Sequence, residues 1–159
     1  MDLTGFEAYQ QEDSYKFHGA KTRTTNVRIN GKIAENPNHP FYRDFEYLKS
    51  VTPEGITPKV TIPSPSLIIN RDHRSDLYAD YYDSWTDFLD DLAKAYHDTI
   101  QHFYDLGARY VQLDDTTWGY LIQQFENEKN NPEKTAELAK SLRMMYTLLI
   151  KLWKVFQKI

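Results

Sequence analysis

The chain has no cysteine, and none of its apolar runs approaches the length of a membrane-crossing helix. The first absence excludes a disulfide framework and any cysteine-ligated zinc site built by this chain alone. Only six glycines are spread over 159 residues, and they form no glycine-rich phosphate loop. A G-x-S-x-G elbow and an H-E-x-x-H pair are missing too. Basic residues number 19 against 23 acidic, and a formal net charge of −4 argues against a general nucleic-acid binder. Met1-Asp2-Leu3-Thr4-Gly5 lacks the basic flank and apolar core of a secretory signal. The expectation is a cytoplasmic protein with no membrane span.

What is present suits one globular domain. At 159 residues and 40% hydrophobic the chain can bury its own core. Twelve Tyr, eight Phe and three Trp make it rich in aromatics. These could line a sugar- or base-stacking groove, but packing is their commoner use.

The first 22 residues are polar and aromatic with little periodicity, and read as a loop or as the end of something that begins earlier. Thr22 to Ile33 is richer in β-formers, and Asn30-Gly31 supplies a hairpin-type turn. Turn residues Asn36-Pro37-Asn38-His39-Pro40 precede a short helix with Phe41, Phe45 and Leu48 at helical spacing. Lys59-Val60-Thr61-Ile62 reads as a strand stopped by Pro63-Ser64-Pro65-Ser66. The stretch 67–82 is mixed, with a charged knot at Arg71-Asp72-His73-Arg74 and tyrosines at 78, 81 and 82.

The clearest helix runs over 84–106. Ser84 caps it, Asp87 completes a capping box and Gly107 supplies a left-handed stop. Trp85, Phe88, Leu89, Leu92, Tyr96, Ile100 and Phe103 form its apolar stripe. Arg109 to Leu113 is then a short strand, Gly119 to Phe125 a helical turn, and Pro132 opens a last helix. Strand, helix, strand, helix with tight junctions points to parallel βαβ units.

Paired carboxylates, Asp114 and Asp115, sit at the carboxyl end of the second strand. In α/β folds ligands bind at that end, so both are candidate substrate contacts. The bland alternative is that one of them caps the next helix. Ser64 and Ser66 lie at the carboxyl end of the other strand and share the same mouth, or else form a rigid loop. The five histidines offer no metal pair. His97 and His102 are five apart on one helix, and His18, His39 and His73 have no second ligand at metal spacing.

Pro53-Glu54-Gly55-Ile56-Thr57-Pro58-Lys59-Val60-Thr61-Ile62-Pro63-Ser64-Pro65-Ser66 and residues Asp105 to Trp118 resemble one family. It is the cobalamin-independent methionine synthase family, in its short single-barrel branch related to the C-terminal catalytic domain. Asn36 to Phe41 and Asp90 to Tyr96 fit it as well. The resemblance covers roughly residues 5–140 and implies an α/β chain forming a partial TIM-type (β/α) barrel with a long C-terminal helix. A whole barrel needs about 250 residues. The chain is therefore expected to be one incomplete domain, 1–159, without the first strands and those after about strand five.

The chemistry implied by the resemblance is methyl transfer from 5-methyltetrahydrofolate to homocysteine or a related thiol. In the full synthase the strand-end pair is Asp-Glu followed by Pro, and the Asp helps hold the amino-acid substrate. Here Asp114, Asp115 and Thr116 stand at those places, so Asp114 is the better substrate candidate. The intact family uses zinc, bound by a His-x-Cys pair, a glutamate and a further cysteine downstream of this region. None is expected to bind at that site here, and the chain alone is expected to be inactive.

Residues 138–159 contain five Lys or Arg and no acid, with Leu142, Met145, Leu149, Leu152 and Phe156 on one helical face. One reading is a basic amphipathic helix that binds a partner or an anionic surface, making the chain a non-catalytic module. Another is a tail, 141–159, translated out of frame. A family-like Leu-Ala-Glu-Asp-Asp-Val-Tyr-Thr-Ile-Asn-Lys-Ala-Leu-Glu-Gly-Phe-Pro-Lys-Asp, written in suitable codons and read one base out, yields Ser141 through Ile159. Incomplete sheets expose strand edges, so a homo-oligomer is expected through them.

Overall fold

The computed structural model describes residues 2–10, 16–17, 20–21, 24–70 and 80–156. The charged knot 71–74, Tyr78, His18 and the last residues of the tail, 157–159, lie outside the described residues.

Strand β1 (Thr4–Gln10) is followed by the two-residue strands β2 (Lys16–Phe17) and β3 (Ala20–Lys21), then by β4 (Thr25–Ala34). β1 pairs antiparallel with β4, and β2 with β3. Two expectations fail here. The opening segment contains a strand, and Asn30-Gly31 does not turn the chain. β4 continues through it and bulges instead: Thr4 faces Ala34 while Phe6 faces Ile29, so Gly5 alone spans residues 30–33. Gly5 has φ +80°, and a Cβ there would collide with the Lys32 carbonyl oxygen. Long-range pairing with β1 outweighs the local turn signal.

Helix α1 (Pro40–Val51) starts at His39, whose Nδ1 accepts the Phe41 N–H at 3.1 Å. His39 is buried, and burial holds its pKa below the usual histidine range, which keeps a ring nitrogen free to accept. Strand β5 (Val60–Pro63), helices α2 (Ser66–Asn70) and α3 (Trp85–Asp105), and strand β6 (Val111–Asp114) follow. β5 and β6 pair in parallel, Val60 with Val111 through Pro63 with Asp114, so the expected parallel βαβ unit is present. The sheets stop at two strands each, and no barrel closes among the described residues.

α3 is the hub. Ser84 accepts the Asp87 N–H at 3.2 Å, as an N-cap does, and its hydroxyl donates to the Asp87 carboxylate at 2.8 Å in place of the backbone bond of a capping box. At the other end Gly107 has φ +102°, and Lys49 from α1 donates to the Leu106 carbonyl at 2.9 Å. The predicted stripe is buried or half-buried throughout, and Ala93, Ala95 and Thr99 are buried in addition. That extra burial comes from neighbours on more than one side, because α3 packs against β4 and against the last helix. Tyr82 ties the antiparallel ribbon to this core. Its hydroxyl accepts the Ile33 N–H at 2.7 Å, and burial pushes its pKa up to about 12.

Helices α4 (Thr117–Asn127) and α5 (Pro132–Phe156) complete the chain. α4 is a full helix rather than the single turn expected. The seam that α5 buries runs through Met145, Leu148 and Leu152, while Leu142 and Leu149 are half-buried. The burial is thus rotated from the predicted face, with Leu148 taking the place given to Leu149. Lys151 reaches across to pair with Asp90 of α3.

Truncating Leu148 to Ala should lower stability by about 2–5 kcal/mol. Urea denaturation checks this; an unchanged midpoint would mean that α5 does not pack on α3.

Candidate functional site at the strand ends

Side chains alternate across the β5–β6 pair. Val60, Ile62, Val111 and Leu113 share the face that joins the hydrophobic core. Thr61, Pro63, Gln112 and Asp114 therefore share the opposite face. Asp114 is exposed there, and its carboxylate accepts the Gln112 amide at 2.6 Å. Lys59 donates to the Gln112 side-chain amide oxygen, Oε1, at 3.2 Å. A cation, an amide and an acid thus lie together on the sheet face opposite the core.

Asp115 goes elsewhere. One carboxylate oxygen accepts the Thr117 N–H at 2.9 Å, at the first residue of α4. The other accepts the Ser66 hydroxyl, and the Ser66 and Ser64 hydroxyls lie 2.7 Å apart. Ser64 and Ser66 are fully buried, so they do not open on a mouth. The Ser64 N–H donates to the Asp114 carbonyl at 2.7 Å, and Tyr96 donates to the Pro63 carbonyl at 2.9 Å. The structure therefore brings Asp115, Ser64 and Ser66 together as a clasp between the two strand ends, and leaves Asp114 outside it.

Electrostatics follow this wiring. Burial alone would raise the Asp115 pKa, but the bonds from Ser66 and Thr117, with Ser64 behind them, hold it below the usual carboxylate range. Burial, with Asp115 nearby, raises the Tyr96 pKa, which keeps its hydroxyl protonated and donating. Tyr96 and Thr117 are the members that sequence reasoning missed. Tyr96 is an ordinary member of an apolar stripe in sequence, and its hydroxyl acquires a role only when α3 docks on β5.

A second polar cluster lies at the other end of α3. His102 Nδ1 is 3.0 Å from a Glu35 carboxylate oxygen that also accepts the Tyr42 hydroxyl at 2.8 Å. Tyr42 stacks on the His102 ring with centroids 3.8 Å apart. Both residues border a cleft of about 510 Å³ with His39, Arg43 and Glu46. Among the described residues no group of three or more His, Cys, Asp and Glu is placed to hold a metal ion. No described helix is long and apolar enough to cross a membrane.

No protein-family model matches the chain. It is similar to a candidate vitamin-B12-independent methionine synthase from Listeria monocytogenes, with 36% identity and a TM-score of 0.54. That match covers 75% of this chain and 31% of the neighbour. Two proteins of Bacillus subtilis (strain 168) are similar as well. The uncharacterized protein YxjG is 35% identical over 148 residues, which are 89% of this chain and 38% of YxjG. The uncharacterized protein YxjH is 33% identical over 121 residues, or 76% of this chain and 31% of YxjH. The chain spans about a third of the length of these relatives.

The lowered pKa of Asp115 has a definite sign in stability. Its contribution is fully present above the unfolded carboxylate pKa, about 3.9, and is lost as the pH falls through the lower folded value. The stability difference between the wild type and Asp115→Asn, read by urea unfolding at a series of pH values, should be largest near neutrality and shrink on acidification. A difference that does not change with pH would rule out the charged clasp.

Proposed function

We propose that this chain is a segment of the wall of a methionine-synthase-like (β/α) barrel, from a methyltransferase acting on homocysteine or a related thiol with a methylated folate as donor. The observation that carries the reading is the position of Asp114. It ends a parallel strand on the sheet face away from the helices, the face that lines the interior in a barrel and meets substrate at the carboxyl ends. The similarity to the Listeria protein supports the same assignment. In this reading Asp114 accepts a charge-assisted hydrogen bond from a cationic group such as the substrate's ammonium. Asp115, Ser64 and Ser66 position that strand end without touching substrate.

The residues present do not fit the family's zinc. The family's zinc ligands include cysteines, and this sequence has none. Turnover then belongs to a longer chain that supplies those ligands. The out-of-frame reading of 141–159 belongs to the same proposal. Packing of α5 on α3 is compatible with it, because any helix with apolar residues at positions such as 145, 148 and 152 can bury them there.

The coding DNA and one assay test this together. Restoring the frame near residue 141 should encode a downstream His-x-Cys pair. That longer product, also extended at its start by the missing first strands and supplied with zinc, should transfer methyl groups to homocysteine while the 159-residue chain does not. In that longer product Asp114→Ala should cost about 1.5–3 kcal/mol of transition-state binding, roughly a ten- to hundredfold loss in kcat/KM. Turnover by the short chain, or an unaffected Asp114→Ala enzyme, would overturn the assignment.

A further inference from the structure

The backbone bonding of β5 and β6 leaves one strand edge open and the other largely closed. Val60 N–H donates to the Tyr110 carbonyl at 2.9 Å, and Ser64 N–H to the Asp114 carbonyl at 2.7 Å. A parallel ladder alternates, so Tyr110, Gln112 and Asp114 turn their peptide groups toward β5. Val111 and Leu113 turn theirs away. On β5 the outward residues are Thr61 and Pro63. Proline has no N–H, and the Pro63 carbonyl already receives the Tyr96 hydroxyl. β6 in contrast presents two N–H and two C=O groups, with no partner strand among the described residues. Val111 and Leu113 pack their side chains on the core, while their outward backbone groups still need hydrogen-bond partners.

We propose that this edge pairs antiparallel with the same edge of a second copy of the chain, about a two-fold axis at Gln112. Val111 then lies opposite Leu113 of the partner subunit, and Leu113 opposite Val111 of the partner subunit. Each such pair exchanges two N–H···O bonds, so the four outward groups of each copy are all satisfied. The net charge along the strand favours the antiparallel direction, with the exposed Asp114 set opposite Tyr110 of the partner subunit. β6 begins beside Arg109 and ends in Asp114-Asp115, so antiparallel pairing sets the basic start of each strand against the acidic end of the other. Parallel pairing would set acid against acid. The result is a continuous four-stranded sheet in place of an isolated parallel pair, an arrangement that hardly occurs alone. The pairing is proposed for the 159-residue chain by itself; in the longer barrel of the proposed function the next strand would take this edge.

Because the chain has no cysteine, a single introduced thiol reports on the pairing without interference. Gln112 would face Gln112 of the partner subunit at a non-hydrogen-bonded position, with Cα atoms about 4.5 Å apart, within disulfide range. Under mild oxidation Gln112→Cys should form a covalent dimer about tenfold or more faster than Ser50→Cys, an exposed α1 control, since docked thiols react at high effective concentration. Light scattering should give a dimer for the wild type and a monomer for Leu113→Pro. That proline removes an outward N–H and no bond to β5. Circular dichroism checks that the proline variant is folded; if it is not, the cross-linking comparison decides. A monomeric wild type, or a Gln112→Cys chain that cross-links no faster than the control, overturns the proposal.

Discussion

α3 is buried on more than one side, and the rest of the fold is arranged around that burial. Its apolar positions include Phe88, Leu92, Tyr96 and Phe103, each nearly inaccessible to solvent. One flank holds the ribbon of β1 and β4, another holds α5, and Tyr96 reaches the end of β5. A 21-residue helix with caps at both ends keeps its register under such pressure. The partners are less self-sufficient: β5 and β6 have four residues each and could not persist as a free pair.

The strand-end site follows from that support. Tyr96 takes the Pro63 carbonyl, Ser64 takes the Asp114 carbonyl, and the two strands end in register. Asp115 then turns into the gap between β6 and α4, where two serine hydroxyls and a helix N-terminal N–H meet it. Asp114, one residue earlier, lies on the other side of the pleat. Adjacent acids of equal intrinsic acidity are thus placed in unlike surroundings, one held charged inside a clasp and one presented on an open sheet face. Division of labour between them needs no difference in residue type.

Much of the helical structure was legible from the chain alone. Ser84, Asp87 and Gly107 marked both ends of α3, and a 3.6-residue apolar period marked its buried side. β5 and β6 were legible because prolines and acids punctuate them. Other features were not. β1 has little alternation, and Asn30-Gly31 signals a turn that pairing with β1 overrides. The buried seam of α5 could not be chosen between Leu148 and Leu149, because both lie on the apolar side and only the angle of docking on α3 separates them. His102, Glu35 and Tyr42 are spread over 68 positions of chain, and nothing local predicts their meeting.

The opening absences bear on the tertiary result as well. Lack of cysteine limits what metal chemistry this chain can support, and no arrangement of the backbone alters that. Sequence also determined that two acids end one strand and two serines follow the other. It could not determine which acid would be held and which presented. That choice depends on which pleat face the helices cover, and burying Val60 and Ile62 against the core commits Asp114 to the opposite side. A strand of four residues carries the alternation in its sequence, but the side that becomes the inside is decided only when the helices pack.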